Sequence, residues 1–393
     1  MELKARTLKK ELIVERSSLT PIGSSSSGSR GRIHKESTTK DCRTCYQQDR
    51  DRIIHSTAFR RLQHKTQVFL YHEGDFYRTR LTHSLAVAQI GQTIARFLGA
   101  NQDLVEAISL AHDVGHPPFG HAGEDVLREM MKPVEGFDHN LQALRVVEEL
   151  KMGPNDLCGL NLTWETREGI ARHTSFFDAP PVCEDFNSPQ PGIEAQITNI
   201  ADIIAYATHD MEDAIEARLL KEDDFASEPL WNRVCGCTHL SNGHGPRRVL
   251  RTKIHKMADI LVEDVVKHTL RNLRSKNIKT TDDIRSSTQS FVTFSPDVEE
   301  EVKRLVDVLV KHVYKDPRVV RMDTNAKRML KALFNEFIEN RKLLPFDTQQ
   351  KINETTTLLR VVCDYISGMT DRHAIELYKS IFDPDGRSLV MYS

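Results

Sequence analysis

No apolar run in this 393-residue chain reaches the roughly 18 residues that a membrane-spanning helix needs, and no hydrophobic segment of a secretory leader follows the start. A cytoplasmic protein is the simplest class that remains. Cysteine is scarce, with seven residues, an odd number that does not read as a disulfide framework. The pairs Cys42/Cys45 and Cys235/Cys237 could share a zinc ion, but about 190 residues separate them without a strong turn pattern, so reduced thiols are the plainer reading. A large excess of one charge is missing too. The net charge of -2 and a pI near 6.8 argue against a chain-wide nucleic-acid footprint. There is no internal repeat, and the length suits one large helical domain or two.

Charge is nevertheless unevenly spread. Residues 1–80 carry 17 Lys or Arg against 9 Asp or Glu, a local excess suited to an anionic ligand. Met1 to Arg16 reads as a short charged helix or tail, and Ser17 to Gly31 has the Ser/Gly bias of a flexible segment. Order is expected from about Asp41. From Gln48 to Val68 the pattern predicts one helix punctuated by Arg50, Arg52, Arg60, Arg61 and Lys65. These cations form either a solvated basic face or a set of phosphate contacts, for which arginine offers fork geometry.

The stretch Ala111-His112-Asp113-Val114-Gly115-His116-Pro117-Pro118-Phe119-Gly120-His121 concentrates three histidines and an aspartate. Leu104, Val105, Ile108 and Ala111 space a buried helical face, which puts His112 and Asp113 on its last turn before Gly115 and the proline pair stop it. Both side chains can reach one ion off the helix end. His83 opens another amphipathic run, with Val87, Ile90, Ile94 and Phe97 on one side and Gly99 placed to end it. A third helix has Ile193, Ile197, Ile200 and Ile204 as its apolar stripe. On another face lie Asp202, Tyr206, His209 or Asp210, and Asp213. Two imidazoles and two carboxylates from His83, His112, Asp113 and Asp202 leave open positions on an octahedral ion, and such mixed ligation permits Mg²⁺, Mn²⁺, Fe²⁺ or Zn²⁺ without choosing among them; Mg²⁺ or Mn²⁺ is the cofactor expected first. Glu124 follows His121 by three residues, close enough on a helix to hold that ring. A structural histidine in the turn is the alternative for His116 and His121, and a plain helix-start histidine for His139.

The ordered set His83, His112-Asp113, Asp202 resembles the HD-domain metal-dependent phosphohydrolases. The strings DRDRIIHSTAFRRLQHKTQV, YRTRLTHSLAVAQIG, LAHDVGHPPFGHAGE, FDHNLQ, GLNLTWETREGI and EAQITNIADIIAYATHDMEDA narrow that. Over roughly residues 30–220, and again at YISGMTDRHAIELY, the chain resembles the bacterial deoxyguanosinetriphosphate triphosphohydrolase-like proteins. The resemblance implies hydrolysis of deoxynucleoside triphosphates to deoxynucleoside and tripolyphosphate. It also implies roles by position. His83, His112, Asp113 and Asp202 match metal ligands; His121 and Glu124 match the pair assigned to chemistry at the α-phosphate. Gln67, Arg80, His116, Tyr206 and Asp210 match positions that hold sugar or phosphates, and His139 another active-site histidine. Ile203 stands where the vertebrate sterile-alpha-motif relative has a phosphate-binding lysine, so that relative's triphosphate clamp is a doubtful guide here. A homo-oligomer with nucleotide activation is a further implication.

The expected fold is all-α: a flexible basic segment over residues 1–40, an HD helical bundle over 41–235 and a helical C-terminal region over 236–393 packing on it. Thr163 is a candidate N-cap, His173 reads as structural, and residues 175–191 as a proline-rich loop. Beyond Leu220 the signals are structural, with helices at 253–273, 298–314, 324–340 and 356–368, and Arg372 in an ion pair, phosphate contact or subunit contact. Two other functions compete: a phosphohydrolase of a different nucleotide, which the Gln67, Arg80, His121, Glu124 and Tyr206 set disfavours, and a silent nucleotide sensor or single-strand nucleic-acid binder. The complete ligand set disfavours the second.

Overall fold

The computed structural model describes residues 19–36, 42–67, 77–134, 136–150, 158–175, 183–237, 245–353 and 357–383. The expectation for residues 1–16 lies outside them. Sixteen α-helices and no strand occur among these residues, the all-α architecture expected. The first four are α1 (Cys45–His55), α2 (Thr57–Arg61), α3 (Arg80–Leu98) and α4 (Gln102–Ala111). Next come α5 (Gly120–Met130), α6 (His139–Glu148), α7 (Trp164–Ala171) and the long α8 (Ile193–Glu216). The chain continues through α9 (Pro229–Cys237), α10 (Pro246–Ser275), α11 (Thr281–Ser286) and α12 (Pro296–Leu309). A π-helical turn, Val310–Tyr314, leads to α13 (Pro317–Glu339), α14 (Phe346–Gln349), α15 (Leu358–Ser367) and α16 (Asp371–Phe382).

Helices α3, α4 and α8 pack on one another at the centre, with α1 against α4 and α10 against α8. Ile193, Ile197, Ile200 and Ile204 are all buried. At roughly 1.5–3 kcal/mol per buried aliphatic side chain, that stripe fixes the rotation of α8 and so the direction in which Asp202 points. On α3 the buried stripe is Val87, Ile94 and Leu98. Phe97, expected inward, is 65 % exposed, because Leu98 occupies the core-facing position one residue on. Leu141 of α6 likewise faces outward while Leu144 and Val147 pack inward. Gly99 ends α3 in the left-handed conformation (φ 70°) that its position predicts.

The structure departs from composition at the N-terminal segment. Residues 19–31, within the Ser/Gly-rich stretch expected to be flexible, and those that follow to 36 are tied to the helices. Ser24 donates from its backbone N–H and its hydroxyl, 2.9 Å each, to the buried carboxylate of Glu194 in the first turn of α8. Arg32 pairs with Asp49, and Arg30 lies over the Trp164 ring. The single helix expected over 48–68 is broken. Ser56 takes an extended conformation and its hydroxyl accepts from the Phe59 N–H, so one helix stops and a new one begins. Thr163 occupies an N-cap position, but its hydroxyl donates to Asp49 Oδ2 at 2.6 Å instead of capping α7.

Gly115 shows how closely the turn after α4 sits on α6. A Cβ there would lie 2.1 Å from the His139 carbonyl oxygen and 2.2 Å from the Ala143 nitrogen. Both are backbone atoms and cannot step aside. Gly115→Ala should therefore cost about 3 kcal/mol or more, read from urea unfolding midpoints. A loss below about 1 kcal/mol would show that the turn does not rest on α6.

Candidate active site

Helix α4 delivers His112, its C-cap, and Asp113 just past its last residue. His112 Nδ1 donates to the Ser109 carbonyl at 2.7 Å, which fixes the tautomer and leaves Nε2 buried without a hydrogen-bond partner. Burial pushes its pKa down to about 4, so the ring is neutral at physiological pH and has a lone pair to give. Asp113 is buried as well. Its Oδ1 accepts from Arg80 at 3.0 Å, and its Oδ2 has no partner. Burial would raise this carboxyl, but Arg80 and the neighbouring imidazoles hold it well below the usual range.

From α3, His83 reaches across to Asp202 on α8, Nε2 to Oδ1 2.8 Å. Asp202 is 3.9 Å from His112 Nε2 and 3.4 Å from His173 Nε2. Burial opposes its ionisation too, and the His173 and His83 rings overcome that and keep it ionised. Nitrogen and oxygen atoms of His83, His112 and Asp113, and separately of His112, His173 and Asp202, lie within 4.8 Å of one another. A neutral imidazole lone pair, an unpartnered carboxylate oxygen and a second ionised carboxylate, all buried in one wall, fit a divalent cation. No cysteine joins such a group among the described residues, and all seven cysteines are free thiols.

A second cluster adjoins the first. His116 stacks on His139, ring centroids 4.0 Å apart, and its Nε2 is 3.3 Å from Asp113 Oδ1. Burial, then Arg80, drives His116 well below its ordinary pKa. His139 Nδ1 is 3.0 Å from Glu124 Oε1, and Arg128 donates to that same oxygen at 3.1 Å. The other oxygen, Oε2, is 3.7 Å from Nδ1 of His121, whose side chain is 59 % exposed. Burial alone would raise Glu124, and hydrogen bonds from His121 and His139 instead hold it well below the carboxylate range.

One cleft collects these groups. Its cavity volume is about 100 Å³. Gln67, Arg80, His83, Asp113, His116 and His121 line it, with His139, Asp202 and Tyr206. Gln67 Oε1 is buried without a partner, and so is Arg80 Nε. Asp210 does not reach the cleft wall. It lies beneath, where its Oδ2 accepts from the Tyr314 hydroxyl at 2.7 Å, and Tyr314 in turn accepts from Tyr206 at 2.6 Å.

Several residues of this cleft are absent from the sequence-based set. His173, read as structural, faces Asp202 and stands 4.9 Å, centroid to centroid, from the His112 ring. Tyr314, Met322 and Asp323 come from the region beyond Leu220, where only structural signals were expected, yet they form the opposite wall. Tyr314 ends a π-helical turn, a distortion that re-aims a side chain and recurs at functional sites. Hydrophobic periodicity does not register that turn.

The basic helix residues go elsewhere. Arg50 pairs with Asp51 and Glu106, and Arg52 with Glu36 and the carbonyls of Leu160 and Asn161. Arg61 and Lys65 donate to main-chain carbonyls, and none of these, nor Arg60, lines the cleft. The cations satisfy helix ends and acids, needs that no local pattern reveals. Arg372 forms an exposed i,i+4 pair with Glu376.

A family model described as the HD domain matches residues 80–207, which contain all four candidate ligands, and one described as the phosphohydrolase-associated domain matches residues 292–380. Fold and site together define an HD-domain phosphohydrolase. Deoxyguanosinetriphosphate triphosphohydrolase-like proteins of Geobacter metallireducens and Geobacter sulfurreducens are each 44 % identical over 94 % of this chain, and the match covers 96 % and 97 % of theirs. The corresponding protein of Thiobacillus denitrificans is 42 % identical over 93 % of this chain and 97 % of its own. The chain belongs to that deoxyguanosinetriphosphate triphosphohydrolase-like family. No helix among the described residues is long and apolar enough to cross a membrane.

Burial raises the Asp210 carboxyl to about 7, against the Tyr314 hydrogen bond that favours its ionised form. The folded state thus holds a proton that the unfolded chain has lost above about pH 4, so this group's contribution to stability falls as pH rises from 4 to 7. Asp210→Asn keeps an acceptor for Tyr314 and cannot ionise. Its stability relative to wild type should grow between pH 4 and pH 7, by on the order of 2 kcal/mol, and then level off. Thermal melts across that range check this; a difference that does not vary with pH would rule it out.

Proposed function

We propose that this protein hydrolyses deoxynucleoside triphosphates, deoxyguanosine triphosphate among them, to the deoxynucleoside and intact tripolyphosphate. What carries this function is one arrangement: His83, Asp113 and Asp202, with His112 directly behind them, and His121, His116 and His139, with Glu124 behind them, meet at the same cleft. His83, His112, Asp113 and Asp202 would hold the divalent ion, Mg²⁺ or Mn²⁺ before Fe²⁺ or Zn²⁺, and His173 stands beside Asp202. Bound there, a divalent ion supplies positive charge to phosphate oxygens and lowers the pKa of a coordinated water.

The protein's own groups divide the remaining work. Gln67 and Arg80 each have a buried polar atom without a partner in the cleft wall, and these bind sugar and phosphate. Arg80 also braces Asp113, so its charge serves both the carboxylate and the anion beyond it. Tyr206 faces the substrate, while Asp210 acts through Tyr314. Glu124, held by His139 and Arg128, orients His121 at the accessible side of the cluster. His121 is the group placed to exchange a proton at the innermost phosphate, and the leaving nucleoside 5′-oxygen is the atom that needs one. His116 and His139 stack behind it and keep that side dry.

The test is product identity. A digest of each of the four deoxynucleoside triphosphates, run with Mg²⁺ or Mn²⁺ in ¹⁸O-water, should give deoxynucleoside and labelled tripolyphosphate on anion-exchange chromatography. Nucleoside diphosphate with orthophosphate, or monophosphate with pyrophosphate, would show attack in another register and overturn the assignment of His121.

Metal ligation makes a separate expectation. Asp113→Ala or His112→Ala should remove bound metal and turnover together while leaving most of the helicity. Stoichiometric metal with full turnover in either variant would dismiss these residues as ligands.

A further inference from the structure

Asp371, the first residue of α16, is fully buried and lies 252 residues after Phe119 in sequence, yet it joins two walls of the cleft. Its Oδ1 accepts from the Phe119 N–H at 2.9 Å. Its Oδ2 accepts from the Thr66 N–H, also at 2.9 Å, and from the Thr66 hydroxyl. Thr66 and Gln67 line one side of the cleft, and Phe119 and His121 line another. Phe119 has φ 62°, the left-handed region that a residue with a bulky side chain rarely adopts. A conformation of that kind persists only where its surroundings hold it. The fixed N–H donor is part of what holds it.

A second tie lies next to the first. Lys65, itself buried, donates from Nζ to the His116 carbonyl at 2.5 Å and to the Ser367 carbonyl at 2.9 Å. The turn from His116 to Phe119 is therefore gripped at both ends, and each grip leads to the corner between α15 and α16. Arg61 anchors that corner with a hydrogen bond to the Gly368 carbonyl at 2.8 Å. Residue Lys65 also accepts, through its own carbonyl, from the N–H of Arg80 at 3.2 Å. One corner of the C-terminal region thus fixes where Gln67 and Arg80 stand relative to His116 and His121.

We infer that Asp371 is a positioning residue for the reaction: by bonding Thr66 and Phe119 at once, it sets the spacing between the substrate-binding wall and the His116–His121 turn. This rests on the hydrolase reading of the cleft. Asp371 touches neither the cleft nor the candidate metal ligands, so its effect passes through Thr66 and Phe119. A misplacement on the order of 1 Å is enough to cost about 10²-fold in rate without loss of binding groups.

Asp371→Asn puts an amide nitrogen, a donor, where one carboxylate oxygen accepts, and Thr66→Val removes only the hydroxyl half of one tie. With metal content and melting temperature measured alongside, kcat on the triphosphate that wild type turns over best should fall at least tenfold in Asp371→Asn and less in Thr66→Val. Metal stoichiometry should stay at the wild-type level in both, and KM should change less than kcat. Amide hydrogen exchange at Thr66 and Phe119 gives a readout independent of turnover, and it should accelerate in Asp371→Asn while α3, α4 and α8 stay protected. Unchanged kcat in folded, metal-loaded Asp371→Asn overturns the inference, as does a loss of kcat that only follows lost metal or lost fold. Should Asp371→Asn not fold, Thr66→Val decides the matter: kcat at the wild-type level overturns the inference. Should wild type hydrolyse none of the triphosphates, the hydrolase reading fails instead, and unaltered exchange at both amides would then overturn the clamp by itself.

Discussion

Two buried carboxylates facing one cleft are the constraint around which this protein is built. Asp113 follows the end of α4 and Asp202 lies in α8, and moving either ion out of water costs several kcal/mol unless it is paired. Their surroundings answer that cost. Arg80 comes from the first turn of α3, His83 from the same helix, and His173 from the end of α7, and each meets one of the two carboxylates. The rotation of α8, set by its isoleucine stripe, decides whether Asp202 can reach that group at all. Packing and electrostatics therefore specify the same arrangement: the apolar stripe aims the charge, and the charge admits only partners that can stay buried beside it.

What was legible in the sequence follows from which of these forces act locally. His112 and Asp113 could be placed because four apolar residues define the buried face of α4 and the Gly115–Pro118 run ends it. His83 and Asp202 could be placed for the same reason, since periodicity gives a side chain its direction within its own helix. Phe97 shows the limit of that method. The 3.6-residue stripe was right to within one position, but whether Phe97 or Leu98 faces inward depends on the close approach of α4 at Gly91, a property of the neighbour. Resemblance to a family supplied roles that periodicity does not. Roles carried in that way place a residue near the chemistry without saying whether it touches it, and Asp210, lodged behind Tyr314, is such a case.

The misreadings share a different cause. Ser24 and its neighbours were read by composition as flexible, yet their small side chains let the segment close over the first turn of α8, where Glu194 requires donors. Lys65 and Arg61 were read as part of either a solvated basic face or a set of phosphate contacts, and they are donors to main-chain carbonyls at the end of α15, a use of charge that helix ends invite. In each case a partner lies more than 150 residues away in sequence. Local composition sees a charge or a flexible backbone, whereas only the folded chain shows the group that needs it.

This long-range dependence bears on how the C-terminal region relates to the site. Helix α13 buries Leu330, Leu333, Phe334 and Phe337 in the same apolar cluster as Val126 and Leu127 of α5, the helix that carries His121 and Glu124. Gly123 makes that packing close, since a Cβ there would stand 3.2 Å from Leu330 Cδ1. Other positions of α13, Val319, Met322 and Asp323, form cleft wall. One helix thus holds the His121–Glu124 pair in place from behind and bounds the cleft in front of it. The residues matched by the HD domain supply all the candidate metal ligands, but the walls that decide what can lie against them come partly from α13 and the π-helical turn before it. Selectivity among substrates should therefore reside as much in this second region as in the histidine–aspartate turn. An ion site tolerates any phosphate that reaches it, whereas a wall of Tyr314, Val319 and Met322 admits a ligand by shape.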